Sequence, residues 1–373
     1  MVPVRSSPIL IPGLKTALTD TAPAPRLVVD LDIIRANYRR LQALAPGSET
    51  AAVVKANAYG LGAEQVVPAL AEAGCRQFFV AHTSEGREAR EALAERSGEI
   101  FVFNGFWPAE IDTLRTAGLI PVINDLGQLQ QLREHAPDLP CAIHFDTGMN
   151  RLGLDARETW AVLDGNLLDG LDVRQIMSHL ACADEAGHAL NQQQLDRFTA
   201  IRNALPGLPA SLANSAGVLL GTDYQFDVTR PGLALYGGAP APGADFDVCV
   251  RIEAPVLQVR TLQPGDNVGY GANWTAGCSI RTATIAAGYA DGILRACGEG
   301  GMARLNGQPV PILGRVSMDL ISVDLSDYQG EVHPGDYVHV LGADLDALAD
   351  HAGTISYELL VRLGLRFNRV YTG

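Results

Sequence analysis

Residues 53–62 read VVKANAYGLG, and the reading of this stretch decides the fold. Ala51-Ala52-Val53-Val54 has the character of a buried strand end, and Lys55 follows it directly. Ala56-Asn57-Ala58-Tyr59-Gly60 are then small or turn-forming residues. An ammonium group is thus delivered from a hydrophobic strand into a loop that lets a ligand come close. Taken alone, a Lys after a strand is ordinary surface decoration, so the weight falls on what surrounds it.

Working outward, the apolar run recurs. AAVVK is followed by QFFVA (77–81), IFVFNG (100–105), LIPVIN (119–124), CAIHFD (141–146), VRQIMSHL (173–180), PASLANS (209–215) and FDVTRPG (226–232). Segments with helical spacing, such as GAEQVVPALAEAG and DLGQLQQLREH, lie between them. Strands alternating with helices of this length predict right-handed βαβ units and a parallel sheet. Eight runs match a (β/α)8 barrel. The rival, a doubly wound open sheet, lacks its Gly-x-Gly-x-x-Gly after the first strand.

Beyond about residue 240 the pattern changes to PVLQVRTL, DNVGYGANW, SIRTATIAAG, PVPILGRVSM, LISVDLS and YVHVLG, β-branched runs separated by Gly, Pro and Asp. The expected organisation is an irregular lead-in over 1–25, a barrel over 26–240 and a mainly β domain over 241–373, with APAPGADFD (239–247) as the linker. RLVVDLD (26–32) reads as a strand, and IIRANYRRLQALA (33–45) as an amphipathic helix. A last short helix is expected near Thr354, with that residue as its N-cap.

Length and composition set the outer bounds. A chain of 373 residues is long for one compact domain. A net charge of −14 argues against nucleic acid or an anionic membrane as partner. The six cysteines have no C-x-x-C pair and read as reduced thiols. No sustained signal-type h-region opens the chain, and no run approaches the ~20 apolar residues of a membrane span. The expected location is the cytoplasm.

In a barrel of this type the active site lies at the carboxyl ends of the strands. Lys55 and Tyr59 follow the first run, and His144, Asp146, Asn150 and Arg151 follow the fifth. The sixth ends in His179, the seventh in Asn214-Ser215, and the eighth in Arg230-Pro231-Gly232. Strand ends two to four are blander, though His82 and Asn104 fall there. Each residue has a plain structural role open to it: a hydrogen-bonded core histidine, an ion-paired arginine, a turn. Their convergence on one rim favours chemistry. A partly desolvated Lys can act as a free amine and form a Schiff base. Small residues and backbone N–H groups near Ser215 and Gly232 suit a phosphate. The pair points to pyridoxal phosphate, an outline that barrel aldolases share.

With these motifs in hand, the sequence resembles the alanine racemase family, whose fold is a barrel followed by a β domain. The resemblance runs from about residue 26 to the C-terminus through VVKANAYGLG, DTGMNRLG, SHLACADE, ANSAG, RPGLALYG, GYGANW, GYADG, GRVSMD and TISYE, in that order. It implies a pyridoxal-phosphate enzyme that interconverts L- and D-alanine, with Lys55 bound to the cofactor. Tyr59, Ser215, Gly232, Leu233 and Tyr357 would form the phosphate site. Arg230 would face the pyridine nitrogen with His179 beside it, and Arg151 would organise the phenolic oxygen and the substrate carboxylate. Tyr270 matches the family's second base and, like Met318 and Asp319, is expected to enter the site from the other subunit of a homodimer. One departure stands out: the family usually carries a Lys, commonly carbamylated, where this chain has His144. A bound anion or a nearby carboxylate is the expected support for Arg151 in its place. Racemases of broader specificity, non-catalytic cofactor-binding barrels and barrel decarboxylases are the alternatives. The β domain with Tyr270 disfavours the second of these, and Arg230 the third.

Overall fold

The computed structural model describes residues 23–373, so most of the lead-in expected over 1–25 lies outside the described residues. Seven short strands hydrogen-bond in parallel and in chain order: Ala52–Val53, Gln77–Val80, Glu99–Val102, Leu119–Ile123, Cys141–His144, Val173–Met177 and Ala210–Ser211. An eighth, Val228–Thr229, closes the curl. It pairs in parallel with Glu49–Thr50, and the amides of Ala51 and Val53 donate to Thr229 and Pro231 carbonyls at 2.9 Å. On its other side, Asp227 and Arg230 amides donate to Ala210 and Ala213 carbonyls. All eight apolar runs of the sequence are strands of this barrel.

Burial on both faces explains why these strands are continuously apolar rather than alternating. All five residues of Leu119–Ile123 are buried. Phe79 stacks between Phe101 and Phe103, with ring centroids 4.8 and 5.2 Å away. Outside the barrel, the Leu31–Leu44 helix starts where the Asp30 carboxylate accepts from the Ile33 amide, and it buries Leu31, Ile34, Tyr38 and Leu41. The i, i+3, i+7, i+10 spacing of those four residues is one helix face.

The C-terminal half is antiparallel. The long strand Val250–Leu262 pairs with Tyr337–Leu341 on one side and with Ile280–Ile285 further along. Shifts of register at Ile252/Glu253 and Val256/Gln258 bend it. The strands Ile280–Ile285, Ile321–Asp324, Gln308–Leu313, Met302–Leu305 and Tyr337–Leu341 then complete a ring with it.

Two local expectations need correction. The strand Arg26–Asp30, grouped by sequence with the barrel, pairs instead with Val250–Glu253 antiparallel and with Asn368–Thr372 parallel. Its apolar run is satisfied by the second sheet, and the helix after it carries the chain back to the barrel. The last helix begins at Ser356, with Ile355 at the cap position and no side-chain cap; the Thr354 hydroxyl bonds Glu358 instead.

Candidate active site

Lys55 leaves the first barrel strand into a backbone turn of unusual hand. Ala56, Asn57, Ala58 and Tyr59 all lie in the left-handed region, with φ of 53°, 55°, 52° and 55°. For non-glycine residues each such conformation costs roughly 1–2 kcal/mol, so the turn persists because its surroundings determine it. Glu85 is the main clamp. One carboxylate oxygen accepts from the Ala56 amide at 2.7 Å, and the other from the amides of Ala81 and His82 at 2.8 and 3.1 Å. Asn57 Oδ1 accepts from the Ala63 amide at 2.7 Å, and Arg369 from the last strand donates to the Gly60 carbonyl at 2.8 Å. The Tyr236 hydroxyl donates to the Val53 carbonyl at 3.0 Å, which pins the strand just before Lys55.

The Lys55 amine opens into a cavity of about 470 Å³ at the carboxyl rim. Tyr59, His144, Arg151, His179, Ser215, Arg230 and Gly232 line it, as expected of that rim, and so does Tyr357, which the resemblance alone brings in. Phe103, Asn104 and Met177 also line it. Among the described residues, the lining holds three basic side chains and no carboxylate. Burial, with the Arg151 charge second, lowers the Lys55 pKa, against an opposing pull from Glu85. The amine is therefore biased toward its nucleophilic, uncharged form.

One end of the cavity is a cradle for a small anion. Ser215 Oγ accepts from the amides of Gly232 and Ala234 at 2.9 and 3.3 Å. A side chain on Gly232 would begin 2.2 Å from the Tyr59 hydroxyl, so only glycine allows that approach. Tyr59 packs against Tyr236 and Tyr357, and burial raises its pKa so that the hydroxyl stays a donor. A phosphate-bearing ring that reacts with an amine fits a cavity lined by both this cradle and the Lys55 amine. Leu233 is buried behind the cradle and does not line the cavity.

Arg230 is 3% exposed and donates to Ser211 Oγ and the Ser178 carbonyl, with its guanidinium over the Phe79 ring. Burial lowers its pKa to about 9, which leaves it protonated at neutral pH. Burial and the Arg230 charge drive the His179 pKa well below its usual value, so that ring is neutral. Arg151 sits on a loop whose start is organised by Asp146: one oxygen accepts from the amides of Gly148 and Met149 at 2.9 Å, and both reach Asn150. Asp146 is thus occupied by backbone and is not the carboxylate expected to support Arg151.

Tyr270, Met318 and Asp319 are absent from the cavity of their own chain. Tyr270 is 73% exposed on a short turn. With the Asn273 amide oriented to satisfy its neighbours, its oxygen accepts two bonds from Arg315 and its nitrogen donates to Gly271, bracing that turn. Met318 is exposed, and Asp319 pairs with Arg366 at 2.7 Å. Glu85 and Asn124 escaped the sequence reading. Glu85 had a signal in its place three residues after His82, where a capping carboxylate belongs. Asn124 had its place at the end of the fourth strand run.

A closed parallel barrel with an activated amine at its carboxyl rim, an anion cradle in the same cavity and an antiparallel domain after it in the chain defines a class of barrel enzymes that bind a phosphate-bearing cofactor. Comparison with known proteins narrows this. Residues 29–240 match the family described as alanine racemase, N-terminal domain, and residues 249–371 the alanine racemase, C-terminal domain. The chain belongs to the alanine racemase family. It is 45% identical over 356 residues to the catabolic alanine racemase of Agrobacterium fabrum, covering 92% of this chain and 91% of that one. It is also 45% identical to the alanine racemase of Rhodospirillum rubrum, covering 93% of this chain and 96% of that one. Among solved structures, it matches the alanine racemase of Bartonella henselae with covalently bound pyridoxal phosphate, at a TM-score of 0.87 and 37% identity over 93% of this chain and 99% of that one. The biosynthetic enzyme of Pseudomonas aeruginosa matches at a TM-score of 0.87 and 36% identity, over 94% and 99%.

Proposed function

We propose that the protein is a pyridoxal-phosphate-dependent alanine racemase that interconverts L- and D-alanine, supplying D-alanine for the cell wall or serving alanine catabolism. The observation that carries this is the Lys55 amine, its pKa lowered, in one cavity with an anion cradle, Arg151 and Arg230. Lys55 binds the cofactor and holds or releases a proton at Nζ on one face of the substrate Cα. Tyr59, Ser215, Gly232 and Tyr357 hold the phosphate, and Leu233, whose side chain is buried outside the cavity, can serve it only through its backbone N–H. Arg151 binds the substrate carboxylate. When bound, the cofactor withdraws electrons from Cα and makes its proton labile. Arg230 stays protonated, so it can only donate toward the ring nitrogen and does not protonate it further. This weakens electron withdrawal and favours quick return of the proton to Cα. His179, neutral and beside Arg230, adds no competing charge.

Inversion needs a second base on the opposite face. Tyr270 of the partner subunit fills that role, with Met318 of the partner subunit and Asp319 of the partner subunit at the substrate entrance, so the working unit is a homodimer. The high exposure of Tyr270 and its absence from its own cavity support this arrangement. Residues 31–240 form the cofactor domain, and 241–373, joined by the strand Arg26–Asp30, the domain that donates Tyr270. No helix among the described residues is long and apolar enough to cross a membrane, and a cytoplasmic location accords with the six free thiols. Purified protein given L-alanine and cofactor should yield D-alanine by chiral chromatography, and Tyr270→Phe should lower the rate about 10²-fold or more. No D-alanine from the parent protein, or an unimpaired variant, would overturn the reading.

A further inference from the structure

The Cys141–His144 strand ends on a histidine whose ring is fixed from outside the cavity. His144 Nδ1 lies 2.8 Å from Asn124 Oδ1. The Asn124 amide cannot turn over, because its nitrogen donates to the carbonyls of Phe103 and Val122, both at 2.9 Å. Its oxygen is therefore an acceptor, and the proton on that side of the imidazole sits on Nδ1. Asn124 is 3% exposed, so water does not compete for this bond. Nε2 keeps its lone pair. The ring borders the same cavity as Arg151, and a Cβ on Gly153 of the Arg151 loop would lie 3.1 Å from its Cδ2, so glycine at that position leaves the loop room beside the imidazole. Burial and the Arg230 charge hold the imidazole pKa near 4, so the ring does not become a second donor at neutral pH.

We infer that His144 is a positioning residue for Arg151: its tautomer is set by Asn124 so that Nε2 accepts from the Arg151 guanidinium and aims it at the substrate carboxylate, with no anion between them. This rests on the carboxylate-binding role proposed above for Arg151. The chemistry is self-consistent. A guanidinium has five donors and no acceptor, so whatever orients it must offer a lone pair. Among the described residues no carboxylate lines the cavity, and Asp146 is committed to backbone amides. A neutral imidazole orients Arg151 without cancelling its charge, which stays available to the substrate.

The test uses holoenzyme with His144→Leu, His144→Gln and Arg151→Lys. Leu removes the acceptor, and KM for alanine should rise about ten-fold or more, the usual loss for a hydrogen bond to a charged group, with a smaller fall in kcat. Gln can donate to Asn124 and accept from Arg151, and should recover KM to within about three-fold of the parent. Crystals of the parent soaked in bromide should show no anomalous peak between His144 and Arg151, and KM should be the same with and without chloride at constant ionic strength. An unmoved KM in His144→Leu, a Gln variant as impaired as Leu, a bromide at that position or a chloride-dependent KM would each overturn the inference. The bromide measurement stands even if a variant does not fold. An unmoved KM in Arg151→Lys would instead remove the proposed role of Arg151 itself.

Discussion

Replacing Ala56 by glycine tests the strain in the turn that carries Lys55. Ala56 has φ 53° and ψ 46°, and its side chain is exposed, so truncating it removes no core packing. A left-handed L-residue costs roughly 1–2 kcal/mol, which glycine does not incur. Glycine loses more chain entropy on folding, a penalty of roughly 0.5–1 kcal/mol. The difference is a net stabilisation of about 0.5–1 kcal/mol, or about 1 °C in Tm for a protein of this size. Differential scanning calorimetry of parent and variant under identical cofactor loading measures it. The companion change, Ala58→Val, places a β-branched side chain at φ 52° in a fully buried position and should destabilise by about 3 kcal/mol or more. Had Ala56 lain in an ordinary right-handed helix, glycine would destabilise by about 1 kcal/mol. That sign in Ala56→Gly would refute the reasoning.

Three further outcomes are expected. Glu85→Gln removes a carboxylate that raises the Lys55 pKa and leaves one of three backbone amides short of an acceptor; the Lys55 pKa, read from the pH dependence of its chemical labelling in cofactor-free protein, should fall further. Gly232→Ala puts a Cβ onto the Tyr59 hydroxyl and should weaken phosphate binding about ten-fold or more, measured by cofactor titration, with the barrel still folded. His144 takes a proton near pH 4 when folded but near 6.5 when unfolded, so the unfolded chain binds more protons between those values. Stability is therefore lost as pH falls from about 6.5 to 4, by up to about 3 kcal/mol from this residue. His144→Gln should flatten that part of the urea-midpoint profile, and an unchanged slope would show the ring to be titrating normally.

Much of this architecture was legible in the chain because buried parallel strands announce themselves. Apolar runs such as LIPVIN are hydrophobic on both faces, and the residue after each run falls at the rim by geometry. Lys55, Arg151, His179, Ser215 and Arg230 were placed at one rim by that rule alone. The left-handed turn was not legible, since Ala-Asn-Ala-Tyr has no glycine to mark positive φ and its conformation is imposed by Glu85 and Arg369 from distant segments. The strand Arg26–Asp30 lies next to the barrel in sequence, whereas its sheet partners lie more than 200 residues away. Asn124 looked like a plain strand-ending residue, because its function is to fix the orientation of another side chain. Tyr270 is singled out by motif resemblance alone, as no periodicity marks an exposed side chain on a short turn.

Mixing two inactive variants, Lys55→Ala and Tyr270→Phe, and exchanging their subunits tests the central claim most directly. If each site combines Lys55 of one subunit with Tyr270 of its partner, every hybrid dimer has one site with both native residues and one with neither. Equal mixing should then restore about a quarter of the parent's alanine racemisation, since half the dimers are hybrids and each has one working site. Absence of any recovery, with exchange verified by native mass spectrometry, would contradict a site shared between subunits.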